Sequence, residues 1–528
     1  MRTPRSLDTL LREPVSRRKL LENGLALVGM EHFRAYRESR RSQDLRFPAS
    51  PFTLGVASGE PTSDGVVLWT RLAPDPTRGG GMPAADVAVA WEVARDDRMM
   101  NVVQRGRALA APQWAHSVHV EVTGLEPERW YWYQFRAGVH VSAIGRTRTL
   151  PRPGAAVDRL RFAFASCQHY EMGYFTAYQH LATEEVELVF HLGDYIYEDG
   201  ASDRWVRKHV GAEIVTLDDY RNRHAQYKTD AHLQAAHAAF PWIVTWDDHE
   251  VDNDYAGDRS ERNDPPGAFL KRRAAAYQAY YEHMPLRRAS IPKGPFMQLY
   301  RGFSYGSLAS FFVLDTRQFR TDQPCGNGVR PACDVENRHL DPKATLLGAA
   351  QARWLLDGLG RSRTRWNLMP QQVMTAKVDW WPGADERFSY DQWDGYEVER
   401  RKLFAFLAAR RIANPVMLAG DVHNHWVCDL KMDFGDPGSP TIATELVGSS
   451  VTTNGDGAEL MRDAEALLAK NPFVKFHNDR RGYVVCEIGR HAMRAEFRAL
   501  EYVTREGAPR QTRAVFAIED GRPGAQRI

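Results

Sequence analysis

Residues 187–198 read ELVFHLGDYIYE, and no other stretch limits the possible folds of this chain as strongly. ELVFHL is a short apolar run of strand character, so Asp194 is expected just past the C-terminal end of a buried strand. Ligands and catalytic groups of open α/β sheets collect at that edge. An Asp there, with Tyr197 three residues on, has the form of a metal site. An Asp helix cap with a packed Tyr is the structural alternative. Three other apolar runs end in equally unusual polar groups: FAFASCQ, IVTWDDHEVDND and VMLAGDVHNH. The four loops are expected to close on one cluster of metal ions.

The chain around these loops is long, at 528 residues. That suggests roughly two to four units, or one large domain with a small one appended. A formal net charge of +2 gives no sign of a polyanion-binding surface, so no nucleic-acid partner is expected. No stretch of roughly 20 apolar residues exists, so no spanning helix is expected. Cys325 and Cys333 bracket CGNGVRPAC. That spacing suits a small disulfide loop in an oxidising compartment, with two free thiols as the alternative. Residues 16–21 read SRRKLL, a twin-arginine motif of the kind that addresses folded proteins to export machinery. The apolar run that should follow is broken by Glu22 and Asn23, and no small-residue cleavage site follows it. Residues 1–50 are therefore a degenerate leader, expected to pack poorly.

Residues 52–150 hold short runs rich in Val, Trp, Tyr and Phe, such as GVVLWTRLA, VAVAWEVARD and WYWYQFRAG, separated by turn signals. They predict a small β-sandwich of immunoglobulin or fibronectin type. From 160 to 528, strands alternate with helical stretches, the signature of a layered α/β fold. Late apolar strands (TIATELVGS, YVVCEIG, AMRAEFRAL) predict a second sheet packed on the first, giving an α/β/β/α sandwich.

Each loop has its own chemistry. Asp194 offers a hard anionic ligand able to bridge two cations, and a Tyr197 phenolate is a strong ligand for ferric iron. Cys167, at the end of the first strand, favours soft or borderline metals as a thiolate; a buried structural Cys is the alternative. Asp247, Asp248, Glu250, Asp252 and Asp254 crowd carboxylates into WDDHEVDND. They repel one another unless partners or cations compensate. Such oxygen ligands suit Ca²⁺, Mg²⁺ or Mn²⁺, and a solvated acidic loop is the alternative. His249 is placed to protonate a leaving group or orient a phosphate. In GDVHNH, Asp421, His423 and His425 alternate on extended backbone, so two of them can share a metal. Arg317 is a candidate phosphate clamp, with a pairing to Asp315 as the alternative, and Gln372 is a weaker ligand candidate.

ASCQ, GDYIYE, WDDHEVDN, LDTRQFR, QQVM, DQWDGY and GDVHNHW, in this order, resemble the motifs of the PhoD-type alkaline phosphatase family. The likeness runs over about residues 52–528 and extends, more distantly, to purple acid phosphatases and calcineurin-like metallophosphoesterases. It implies a phosphomonoesterase, often also a phosphodiesterase, acting on small-molecule phosphate esters with one Fe³⁺ and one or two Ca²⁺. Carried over residue by residue, it implies that Cys167, Asp194, Tyr197 and His423 hold the iron and that Asp194 bridges to calcium. Asp248 and Asp421 would then be calcium ligands, with Asn253 a further candidate, and His249 and Arg317 would face the phosphate. The family is typically exported, so a periplasmic or secreted location is expected, with cytoplasmic retention open because the leader is degenerate. Two other functions remain open: a phosphodiesterase or phospholipase-D-like enzyme on the same site, and a non-enzymatic calcium-stabilised surface binding protein.

Overall fold

A computed structural model describes residues 47–331 and 340–528 of the chain. The twin-arginine motif and Cys333 lie outside the described residues. Two sheets dominate. The first has ten strands and the second seven. At the centre of the first, Arg159–Ala165, Leu188–His191 and Pro241–Val244 run parallel. In the second, Ala309–Val313, Trp366–Pro370, Pro415–Ala419 and Thr441–Val447 run parallel.

The alternation in RLRFAFA explains how the layers meet. Leu160, Phe162 and Phe164 point into a core shared with the second sheet, where they meet Phe311, Val313, Leu368 and Leu418. Ala163 and Ala165 point the other way, into a core closed by helices. Side chains on successive strand residues face opposite sides, so one strand serves both layers. The phenylalanines interlock: the Phe162 and Phe311 rings are 5.6 Å apart and edge-on. On the first sheet's outer face lie the helices Leu217–Lys228, Ala231–Ala239 and Pro266–His283. On the second sheet's outer face lie Gly348–Arg361 and Glu397–Ala409, packed over Met369, Met417 and Trp426. The layers are therefore α/β/β/α, as expected.

The late strands divide differently from the expectation. Thr441–Val447 joins the second sheet. Gly482–Gly489 and Ala492–Leu500 return to the first, where Gly482–Gly489 pairs antiparallel with Arg159–Ala165. Apolar content alone does not tell a strand which sheet it joins.

The N-terminal sandwich is present, and one of its sheets is part of the main one. Val56–Gly59 pairs parallel with Pro241–Val244, and Val66–Arg71 and Ser117–Val122 extend the same sheet outward. Val87–Ala94, Val102–Ala110, Trp130–Ala137 and Gly145–Arg148 form the facing sheet. Val66, Leu68, Val89, Tyr133 and Phe135 fill the space between. The Trp69 indole donates to the Glu282 carbonyl at 3.0 Å, a further tie between sandwich and helices.

Candidate metal centre

Of the parallel strands in the two sheets, six end at this site, and the bridge Ser166–Ser450 joins the sheets there. The residues directly after these ends are Cys167, Asp194 and Asp247–Asp248 from the first sheet. From the second come Arg317, Gln372, and Asp421 with His423. Cys167, Asp194, Asp421 and His423 all adopt left-handed backbone conformations, with φ of 58°, 56°, 63° and 60°. Non-glycine residues rarely adopt this conformation, and local strain of this kind gathers at functional sites. Gly193 fixes the approach of two loops. Its φ is +113°, and a Cβ there would lie 2.4 Å from the Asp247 Cβ.

Donor atoms of Cys167, Asp194 and His423 lie within 4.8 Å of one another, and so do those of Asp194, Asp248 and His249 and those of Asp247, Asp248 and Asp421. Asp194 belongs to two of these groups and Asp248 to two, so the three form one continuous centre. Tyr197 joins it through its hydroxyl, which donates to Asp194 Oδ2 at 2.9 Å and lies 2.8 Å from Thr453 Oγ1.

Several atoms here have no hydrogen-bond partner, and Asp248 Oδ1 has only an ion pair with Arg317. Asp194 Oδ1, Asp247 Oδ2, Asp248 Oδ1 and His423 Nε2 are buried and without a hydrogen bond. A buried polar atom left unpaired costs roughly 1–3 kcal/mol, so four in one place fit a centre built around cations. The acid–base chemistry agrees. Burial pushes the Cys167 thiol well up, and the Asp194 carboxylate adds to the effect. Burial likewise raises the Tyr197 phenol, again with Asp194 contributing. Asp194 itself is raised well above the usual carboxylate range, chiefly by burial. These groups ionise together only if positive charge arrives. Thiol, phenol, carboxylate and imidazole fit a ferric ion.

The neighbouring half is carboxylate-rich. Arg317 is fully buried there. Its Nε donates to Asp247, its Nη1 to Asp391 at 2.9 Å and its Nη2 to Asp421 at 3.2 Å, with Asp248 at 3.4 Å. Arg320 also donates to Asp391. Four carboxylates thus face two guanidiniums, more acid groups than the guanidiniums can neutralise when all four are ionised. Burial raises Asp247 well above the carboxylate range and Asp421 to about 6. Oxygen donors with excess charge fit a hard divalent cation such as Ca²⁺.

The remaining sequence candidates fall as follows. Arg317 reaches the centre, but its fork is engaged by carboxylates and presents no free face. Asp315 does not pair with its guanidinium; it accepts the Arg317 backbone N–H at 3.1 Å. The Asn253 backbone N–H donates to Glu198 at 2.7 Å, and its side-chain amide donates to Glu261 at 2.7 Å. His425 begins the next strand, accepts the Ser449 N–H at 3.0 Å and packs edge-on against Phe497. The H-x-H alternation therefore brings His423 alone to the centre. Gln372 serves the fold, accepting from Thr316 and donating to Thr245 and Leu314. Glu250 is a backbone clamp that accepts the N–H groups of Asp194, Tyr195 and Asp247. Asp252 pairs with Arg272 at 2.8 Å.

Two contributors escaped the sequence reading. Glu198 Oε2 lies 2.7 Å from His249 Nδ1. With Nδ1 held, Nε2 is the ring atom left to serve the centre. Burial works against protonation of His249, but Glu198, Asp194 and Asp248 together hold its pKa well above the usual imidazole value. The second contributor is the pair Asp391 and Gln392. Asp391 locks Arg317 and Arg320, and the Gln392 amide donates to Asp421 Oδ2.

Comparison with known proteins gives the family. Residues 162–497 match the PhoD-like phosphatase family and residues 38–151 the N-terminal domain of PhoD-like phosphatases. Alkaline phosphatase D of Bacillus subtilis is 52% identical over 487 residues, which is 91% of this chain and 83% of that protein. A solved structure of PhoD superposes with a TM-score of 0.89 at 51% identity, covering 92% of this chain and 93% of the other. The chain belongs to the PhoD-like phosphatase family.

Proposed function

We propose that this enzyme hydrolyses phosphate esters, and that Cys167, Asp194, Tyr197 and His423 hold one Fe³⁺ beside one or two Ca²⁺ at Asp194, Asp248 and Asp421. Asn253 is a further calcium ligand in this reading. The single observation that carries it is the set of ligand atoms without a hydrogen bond on Asp194, Asp247, Asp248 and His423, buried where parallel strands of two sheets end. Bound metals of this kind supply Lewis acidity to phosphoryl oxygens and acidify water. The chain's own groups do the rest. His249, protonated and held through Nδ1 by Glu198, presents Nε2 to the departing oxygen and supplies its proton. Arg317 keeps Asp247, Asp248 and Asp421 in register beneath the centre. Trp246, Gly193 and the Glu250 clamp hold the loops that carry these groups.

Asp194→Asn and Cys167→Ala test the reading on p-nitrophenyl phosphate at saturating metal. We expect each to lose at least about 10²-fold in kcat, in line with losses on removing groups that act in the transition state. Full activity in either variant overturns the assignment. Rates on p-nitrophenyl phosphate and on its bis-ester separate a monoesterase from a diesterase on the same centre, and choline lipids test the phospholipase-D-like alternative. Family membership sets aside the non-enzymatic binding protein. SRRKLL supports export by the twin-arginine route to the periplasm or medium. Among the described residues no helix is long and apolar enough to cross a membrane.

A further inference from the structure

Away from the metal centre, a cavity of about 320 Å³ opens between the helices Gly348–Arg361 and Glu397–Ala409. Small-molecule pockets run from roughly 300 to 1,000 Å³ and are mostly apolar, so this one is of a size to take a short chain or ring. Its inner wall is Leu347, Leu355, Leu403 and Trp393, all essentially buried. Half-buried Leu356 also lines the cavity.

Charge at the rim narrows the occupant. Lys343 and Lys402 both line the cavity and are exposed. Lys402 acts electrostatically on Glu399, one turn away on the same helix. The acidic residue in the lining, Glu399, is turned away from a ligand. One of its oxygens accepts the Leu346 and Leu347 N–H groups at 2.6 and 3.2 Å, and the other accepts the Thr345 hydroxyl at 2.9 Å. An apolar interior under two exposed lysines suits a molecule with a hydrocarbon body and one anionic head. The site is also close to the centre along the chain. Trp393 follows Asp391 and Gln392, the residues that hold Arg317 and Asp421, and its indole is pinned by a 3.0 Å bond to Gln371.

We propose that this cavity binds a medium-chain amphiphilic anion, with its hydrocarbon chain against Leu347, Leu355, Leu403 and Trp393 and its anionic head between Lys343 and Lys402. The site is separate from the phosphatase centre, so its test needs no turnover. Decanoate, below its micelle concentration, is titrated calorimetrically into the full-length, metal-loaded enzyme. The expected result is saturable binding at one site per chain. Leu356→Trp, which puts a larger side chain into the cavity lining, should weaken it at least about tenfold, as should the double variant Lys343→Glu/Lys402→Glu. 1-Decanol, which has the chain without the charge, should bind at least about tenfold more weakly. Phosphatase activity within about twofold of the parent shows that each variant is folded. Three results overturn the proposal: no saturable heat with decanoate, unchanged affinity in both variants, or decanol binding as tightly as decanoate. The last would mark an unselective apolar cavity.

Discussion

Asp194 combines a left-handed backbone, one carboxylate oxygen bonded to Tyr197 and the other with no partner. That combination sets it apart from an ordinary buried Asp. Tyr197→Phe keeps the packing and removes the phenol, so it should keep the fold and lose any visible tyrosinate-to-iron absorption band; a band of unchanged position and strength would show that Tyr197 does not ligate iron. Glu198 acts through His249 and is a positioning residue. Glu198→Ala should lower kcat by about 10²-fold with KM within a few-fold, since general acid–base catalysis contributes on that order. Glu198→Gln, which can still accept from Nδ1, should recover part of the loss; KM rising in step with the fall in kcat would place Glu198 in binding. Glu198 stands inside the GDYIYE motif, but its role is not legible there because its partner lies 51 positions on. His425 erred the other way: it shares the H-x-H pattern with His423, but its strand turns it to the core. Alternation tells which residues share a face and says nothing of which face meets the centre.

At the level of the elements, a helix carries an unusual cation. Lys228, at the end of Leu217–Lys228, is 2% exposed, and its ammonium sits 4.4 Å from the Trp69 ring centroid. Burial lowers its pKa to about 7. The unfolded chain holds the proton to about pH 10.4, so between these values it binds more protons than the native state. Stability conferred at this position therefore rises from pH 7 towards pH 10. Compared with Lys228→Met in chemical denaturation, the parent should gain on the order of a few kcal/mol across that range. Parallel curves for the two proteins would contradict it. The loop elements make a second prediction. Gly193→Ala places a Cβ against Asp247 in a backbone conformation that L-residues avoid, so it should cost at least about 1–3 kcal/mol and weaken metal retention together; normal stability and metal content would refute the close approach. The strands that end in ligands were legible because apolar runs stop abruptly at polar clusters. The staple from Asp391 to Arg317, spanning 74 positions, was not, since pairing at that distance leaves no local periodicity.

Across the whole molecule, the N-terminal region and the catalytic region are joined by a continuous sheet. The composition change near residue 150 marks a boundary in sequence, and the ten-stranded sheet crosses it through Val56–Gly59 and Pro241–Val244. A chain starting at residue 151 would expose that strand edge and the apolar faces of Val56 and Trp69's partners. Such a chain should fail to give a cooperative unfolding transition by circular dichroism; a soluble, cooperatively folding fragment would show the two to be independent. The layered α/β/β/α order was readable from the sequence because strand and helix patterns alternate. The sharing of one sheet between two regions was not, because edge pairing depends on backbone groups common to every residue. The fold and the loops together make one central claim: a single buried centre holds two unlike kinds of metal through a shared Asp194. Elemental analysis of the purified protein beside Asp194→Asn tests it most directly. The account predicts iron near one equivalent together with calcium in the parent, and loss of both from the variant. Retention of either metal at parental levels in Asp194→Asn, or a parent that is fully active without iron and calcium, would contradict it.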